Sequence, residues 1–340
     1  MHGCTRATLL LMAASLVITP LLTGLAAGQQ PPGELLFTSK RDGNWEIYWV
    51  RADGKGQANL TRHAAEDRTP VWSPDGQQIA FVSDRDRNQE VYTMRYDGAR
   101  ATNFTKSKGF EDTPTWSPDG QWLAFSSDRD GNEEVYVQAL AGGAARNVTQ
   151  SDFWDAFPAW CPRAPQIAFL SDRTGDQDIY LIGADGSGLR GIALHSAWDS
   201  RPLWAPDGTR IAFTTHRDGN IELYVANVVD STLRNVSNNP TWDDQPTWSP
   251  DGTMLAYVSY RGTNRDIFIV PAAGGPPVNV TNHPANDWGP TWSPDGQQLA
   301  FLTDRDGNDE VYVCDLKGQN QVNVSNSPAL EKEIAWRPRR

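Results

Sequence analysis

Trp72, Trp116, Trp160, Trp204, Trp248, Trp292 and Trp336 follow one another at intervals of 44 residues, with no insertion or deletion between them. A period of that length marks a repeat architecture, in which one supersecondary unit cannot bury its apolar face alone and stacks on copies of itself. It explains how a chain of 340 residues, more than an ordinary single core organises, can repeat one small unit instead of dividing into several domains.

The unit is typified by the segment from Trp72 to Thr105, WSPDGQQIAFVSDRDRNQEVYTMRYDGARATNFT. Its punctuation predicts four strands. Strand A ends at Trp72, and Ser73-Pro74-Asp75-Gly76 suits a type I turn, Pro presetting φ and Gly closing it. Strand B is expected over Ile79 to Ser83, strand C over Glu90 to Met94, and strand D near Asn103-Phe104-Thr105, after a Tyr96-Asp97-Gly98 turn. Pro stands two residues before the tryptophan in six repeats, at Pro70, Pro114, Pro158, Pro202, Pro246 and Pro290, where an innermost edge strand can forgo a ladder N–H; Ile334 is the exception.

The B-C-D portion starts seven times, at Leu35, Ile79, Leu123, Ile167, Ile211, Leu255 and Leu299, so the first unit lacks its own strand A. Glu333 to Trp336 supply it. The expected fold is all-β: a seven-bladed β-propeller of 44-residue four-stranded repeats over 35–340, closed by a C-terminal strand that completes the first blade and removes the open edges of a linear array.

The recurring WSPDG, IAF, SDRDGN, EVY and N-V-T elements resemble the TolB-like, WD40-like propeller repeat that is also similar to tricorn and prolyl-oligopeptidase propellers. The resemblance covers 33–340. It implies the fold, whereas such propellers carry scaffolding, gating and occasionally catalytic roles. Members of the TolB type have six blades and a separate N-terminal α/β domain; seven repeats and no room for that domain are counted here, so a direct role in the Tol system is not expected.

Residues 1–28 stand apart: Arg6 precedes an apolar stretch from Ala7 to Ala27, with Ala26 and Gly28 suited to signal cleavage before Gln29. They are expected to act as a signal peptide, or as an N-terminal anchor through 7–27, followed by a short linker at 29–34. Export places the propeller in a periplasmic or extracellular compartment. Cys161 and Cys314 fall in distant repeats, so packing and not a disulfide framework must hold the ring. A formal charge of −12 argues against a nucleic-acid surface.

Strand direction puts the D-to-A and B-to-C connections on one face, called the top. There every repeat carries an acid five residues before its tryptophan (Asp67, Glu111, Asp155, Asp199, Asp243, Asp287, Glu331) and an Arg in the B-to-C turn (Arg41, Arg85, Arg129, Arg173, Arg217, Arg261, Arg305), followed five residues later by a second acid such as Glu90. A structural network of Arg bridging these carboxylates is one reading. The other sums one excess negative charge per blade to about −7, a face that attracts a cationic partner. Asp84, Asp86, Asn88 and Glu90 are spaced like the start of a calcium loop, which makes calcium the one ion to consider, although the later ligands are missing and an Arg competes. The Asn-x-Thr/Ser triplets at Asn59, Asn103, Asn147, Asn235, Asn279 and Asn323 recur in phase and suggest a strand-D device.

Departures from the repeat are better site candidates than the repeat itself. Six residues before the tryptophan stand Phe110, Trp154, Trp198 and Trp242, with Trp288 two residues later in its blade. Phe110, Trp288 and the pairs Trp154-Asp155, Trp198-Asp199 and Trp242-Asp243 are the candidate partner-binding residues, aromatic rings along an arc that grip a peptide or sugar, unless the rings merely wedge between blades. His63, His195 and His283 share one phase, but on outer strands of separated blades, where they diverge; no metal site is expected. No G-x-S-x-G, H-E-x-x-H or P-loop is present, and no catalytic residue is assigned. The reading is a monomeric, non-catalytic propeller that binds a protein or peptide through its top face or channel mouth. The alternatives are a carbohydrate-active hydrolase or lyase with a loop-built site, and a sugar-binding module.

Overall fold

The computed structural model describes residues 33–339; the expected signal or anchor at 1–28 and most of the linker lie outside the described residues. Seven four-stranded antiparallel sheets account for all the regular structure described, and no helix occurs among the described residues. In the second blade the strands run Asp67–Trp72, Gln78–Ser83, Glu90–Arg95 and Thr102–Asn103, in that spatial order. Strand B is buried on both faces, as Ile79 to Ser83 show, because a neighbouring blade covers each side of the sheet.

The ends of the propeller meet in one sheet. The last strand, Glu331–Trp336, pairs with the first, Glu34–Ser39, through Leu35 opposite Trp336 and Ser39 opposite Glu331. The closing strand therefore begins two residues before the predicted Glu333. Blades stack through apolar seams such as Leu36, Ile47, Trp72, Ile79 and Phe81. Six framework tryptophans also donate their indole N–H to a strand-A carbonyl of the preceding blade, Trp72 to Ala335 at 3.3 Å and Trp204 to Ala159 at 3.0 Å among them.

Strand A is bulged where the prolines stand. The ladder slips between Arg68 and Val71, and Thr69, immediately before Pro70, has φ of 49°. The same left-handed residue recurs at Thr113, Phe157, Gln245, Gly289 and Glu333. A Pro without an N–H fits a position where the bulge has already removed the ladder bond. Blade 5 departs: its strand A is reduced to Leu203–Trp204, with Asp199 bridged separately to Thr215.

Strand D is short because the Asn-x-Thr/Ser triplet ends it. Asn103 Oδ1 accepts from Lys106 N at 2.8 Å, holding Lys106 at φ 48°, while its amide donates to Asp86 at 2.7 Å. The Thr105 hydroxyl donates to Glu90 and accepts from Val91 N at 3.0 Å. The triplet at Asn103 thus works as a local device at the end of strand D.

Candidate functional site

The top face is built on the repeated charges, and the structure buries them. Each Arg pairs with the acid of its own blade: Arg85 with Asp67 at 2.8 Å, Arg173 with Asp155 at 2.8 Å, Arg217 with Asp199 at 3.1 Å, Arg261 with Asp243 at 3.3 Å. All seven of these acids have fully buried side chains. The Arg85 guanidinium lies 4.6 Å from the Tyr92 ring, so the pair sits on an aromatic floor. The second acid is not bridged by Arg; Glu90 takes Thr105 Oγ1, Ser107 N at 2.9 Å and Asn88 Nδ2 at 3.2 Å. The two acids and one Arg of each blade lie below the surface, so these residues are not exposed for direct contact with a cationic partner. Asp155, Asp199 and Asp243 are among these fully buried acids.

Burial also raises several of these carboxyls. It pushes Asp199 up to about 7, against Arg217 and Thr215, with Asp178 adding repulsion. Glu331 rises to about 7 for the same reason, opposed by Arg41 and Ser39.

The calcium-like turns are committed internally. Asp84 Oδ1 accepts Glu66 N at 2.9 Å, Asp86 takes the Tyr92 hydroxyl and Asn103, and Asn88 donates to Gly109 O at 2.7 Å. Among the described residues no group of three or more His, Cys, Asp or Glu side chains is arranged to hold a metal ion. His63, His195 and His283 have a local role the sequence reading missed: each Nδ1 accepts the backbone N–H two residues on, Ala65, Ala197 and Ala285, at 3.1 Å. Ser107 does the same through its hydroxyl to Gly109 N at 3.0 Å. Polar acceptors at one phase, whichever residue supplies them, were the available signal.

The candidate rings divide into two groups. Phe110, Trp198 and Trp242 are 59%, 42% and 54% exposed. Trp198 stacks on His216 with centroids 6.4 Å apart, and Trp242 meets the edge of Tyr260 at 6.0 Å. Trp154 and Trp288 turn inward instead: Trp154 donates to Glu133 at 2.7 Å and packs edge-on against Phe157, and Arg265 covers Trp288 at 4.7 Å. The wedge alternative therefore describes Trp154, and surface presentation describes Trp198 and Trp242.

Two residues beyond Trp198 and Trp242 the chain enters a cavity of about 580 Å³ between the inner strands, lined by Arg201, Asp244, Trp288, Lys332 and Glu333 among others. Its charges are of both signs. Glu333 accepts Thr69 N at 2.8 Å, and burial holds its carboxyl above the usual range. These lining positions fall between the repeated acid of strand A and the position that is Pro in six blades and Ile334 in the first, and their variation from Arg201 to Lys332 is the signal in the sequence that marks them.

A family model described as the TolB beta propeller domain matches residues 25–108, 101–201, 186–283 and 245–339. No curated protein matches the sequence. Among solved structures, TolB from Acinetobacter baumannii aligns with a TM-score of 0.60 and 19% identity, over 90% of this chain and 67% of that one. An oligogalacturonate lyase in complex with manganese aligns with a TM-score of 0.66 and 17% identity, over 87% and 86%. A puromycin hydrolase gives a TM-score of 0.73 and 14% identity over 87% of this chain but 52% of its own, so the chain spans about half of that enzyme. At these identities the likeness is one of fold.

Proposed function

The chain belongs to the TolB beta propeller family, and from that premise we propose that it is an exported, non-catalytic propeller that holds a protein or peptide partner across its top face and channel mouth. The observation that carries this reading is the pair of exposed indoles, Trp198 and Trp242, each backed by a second ring and each two residues from the wall of the mixed-charge cavity. Large rigid rings give contact area at little entropic cost, and a neighbouring cavity with Arg201, Lys332, Asp244 and Glu333 supplies the polar register a polypeptide needs. Cationic character in the partner is not required, because the repeated carboxylates are buried and engaged within their own blades.

The test is capture from the native envelope by residues 29–340 beside the Trp198→Ala, Trp242→Ala double variant, with equal melting temperatures confirmed first. Recovery of the same stoichiometric protein by wild type, and its loss in the variant, supports the reading. Equal recovery by both removes the two rings from the site, and failure of both turns attention to glycans.

A further inference from the structure

Trp160 is the framework tryptophan outside the interblade pattern: its indole N–H is enclosed and has no acceptor, although Trp160 is only 9% exposed. The repeat breaks immediately after it. In intact A-to-B turns the Ser hydroxyl donates to the Asp two residues on, Ser73 to Asp75 at 2.6 Å and Ser249 to Asp251 at 2.6 Å, and a glycine such as Gly76 takes φ of 63°. Blade 4 has Cys161-Pro162-Arg163-Ala164 in that place, so neither the acceptor Asp nor the permissive Gly is there. Arg163 instead leans across to blade 5, Nε donating to Pro206 O at 3.1 Å.

A second departure adjoins the first. Where strand B begins in the other blades with Glu34, Gln78, Gln166, Arg210, Met254 or Gln298, blade 3 has Trp122, 40% exposed. Both departures line one cavity of about 850 Å³, on the face of the ring opposite Trp198. Trp122, Trp160, Pro162 and Pro165 give it apolar wall, and Arg146 and Arg163 bring guanidinium groups.

The donors and acceptors in this cleft are unbalanced. Asp119 already receives Ser117 Oγ at 2.5 Å and Gln121 N at 3.0 Å, and Asp185 receives Ser187 N at 3.0 Å and Ser187 Oγ at 2.6 Å. Those bonds, all on Oδ1, hold both carboxyls below the usual range, with the Arg146 charge adding to the effect at Asp185, so two carboxylates stand ionised beside the two guanidinium groups. Arg146 spends one N–H on Ala184 O and Arg163 one on Pro206 O, out of the five that a guanidinium carries. A ligand that fits must bring acceptors to two Arg and a flat apolar surface to Trp122 and the prolines beside it. The volume lies within the usual range for small-molecule sites.

We propose that this cleft between blades 3 and 4 is a second binding site, separate from the top face, for a small organic anion with a flat apolar body, of the aromatic carboxylate or sulfonate class. Anilinonaphthalene sulfonate is the probe. Titrated into the purified folded protein, it binds saturably at one site and loses at least about tenfold in affinity in Trp122→Gln and in Arg163→Asp, while Trp242→Ala leaves binding unchanged. Trp122→Gln installs the residue found at Gln78, Gln166 and Gln298 and keeps the fold; Arg146→Ala replaces the Arg163 variant if the latter melts early. Affinities in the cleft variants within about twofold of wild type, equal binding of neutral N-phenylnaphthylamine, loss on Trp242→Ala, or the absence of saturable binding would each overturn the proposal.

Discussion

Arg41 and Glu331 stand 290 residues apart in the chain and form an ion pair of 3.0 Å whose carboxylate is fully buried. Arg41 comes from the turn after the first strand, Glu331 from the start of the last. The same guanidinium donates to Ser325 O at 3.2 Å and lies 4.5 Å from the Tyr48 ring. Blade 1 is thus closed by side chains as well as by its ladder, with the Arg and acid that every other blade takes from neighbouring segments.

Deleting 331–340 should therefore destabilise the whole ring and not one edge. It removes the strand that pairs with Leu35 and Ser39, and Trp336, itself 8% exposed. Loss of a buried tryptophan alone costs roughly 3–5 kcal/mol. The exposed edge also templates association. Thermal unfolding should show a large drop in midpoint and light scattering a gain in mass; an unchanged midpoint would show that closure contributes nothing.

Asp199 and Glu331 make stability depend on pH in the direction opposite to an ordinary salt-bridged carboxylate. Their folded values of about 7 lie above the unfolded ones, so the folded state holds protons the unfolded chain has released. The contribution is complete below the unfolded values and is lost as pH rises toward and through about 7. Between those limits each group lowers unfolding free energy by up to about 1.4 kcal/mol per pH unit. Denaturant titrations from pH 5 to pH 8 should show that slope, and Asp199→Asn should reduce it by the Asp199 share, leaving that of Glu331, whatever it does to absolute stability. A slope that Asp199→Asn leaves unaltered would refute this assignment.

The ring itself was legible because its signals are local and repeated: Trp72 and its copies, the Ser-Pro-Asp-Gly turns, and the B and C strands each announce themselves within a few residues. Even the shared first blade follows from counting. What escaped the sequence depends on how closely blades approach. Nothing local tells that Asp199 is fully buried while its chain neighbour Trp198 is 42% exposed, because burial depends on the packing of the whole ring. The left-handed backbone of Thr69 was hidden as well, since residue type gives no hint where a non-glycine is forced into it by the bulge at Pro70.

The strand-D triplet makes a sharper energetic prediction than its regularity suggests. Glu90 is 2% exposed and depends on the Thr105 hydroxyl for one of its donors. Thr105→Val keeps the shape and removes the donor, so it should cost roughly 1–3 kcal/mol. Asn103→Ala removes a turn acceptor and the donor to Asp86, costing about 1 kcal/mol. Chemical denaturation of both variants tests this, and a neutral Thr105→Val would mean that Glu90 is satisfied by Ser107 N and Asn88 alone.

Trp154, Trp198 and Trp242 occupy the same position in successive blades, yet truncation should separate them. Trp154 is held by Glu133 at 2.7 Å and by Phe157, so Trp154→Ala takes one donor from a partly buried carboxylate as well as the ring packing and should cost roughly 2–4 kcal/mol. Trp198→Ala and Trp242→Ala remove exposed rings whose neighbours, His216 and Tyr260, remain solvated, and should each cost less than about 1 kcal/mol. Partner affinity should rank the other way, falling with Trp198 and Trp242. Selection for folding alone gives no reason to keep a 54% exposed indole at Trp242, so a stable variant that no longer binds is the outcome that assigns the ring to recognition. If Trp242→Ala instead melts early, the ring is masonry and the binding surface must lie deeper, among Arg201, Trp288 and Lys332 in the channel.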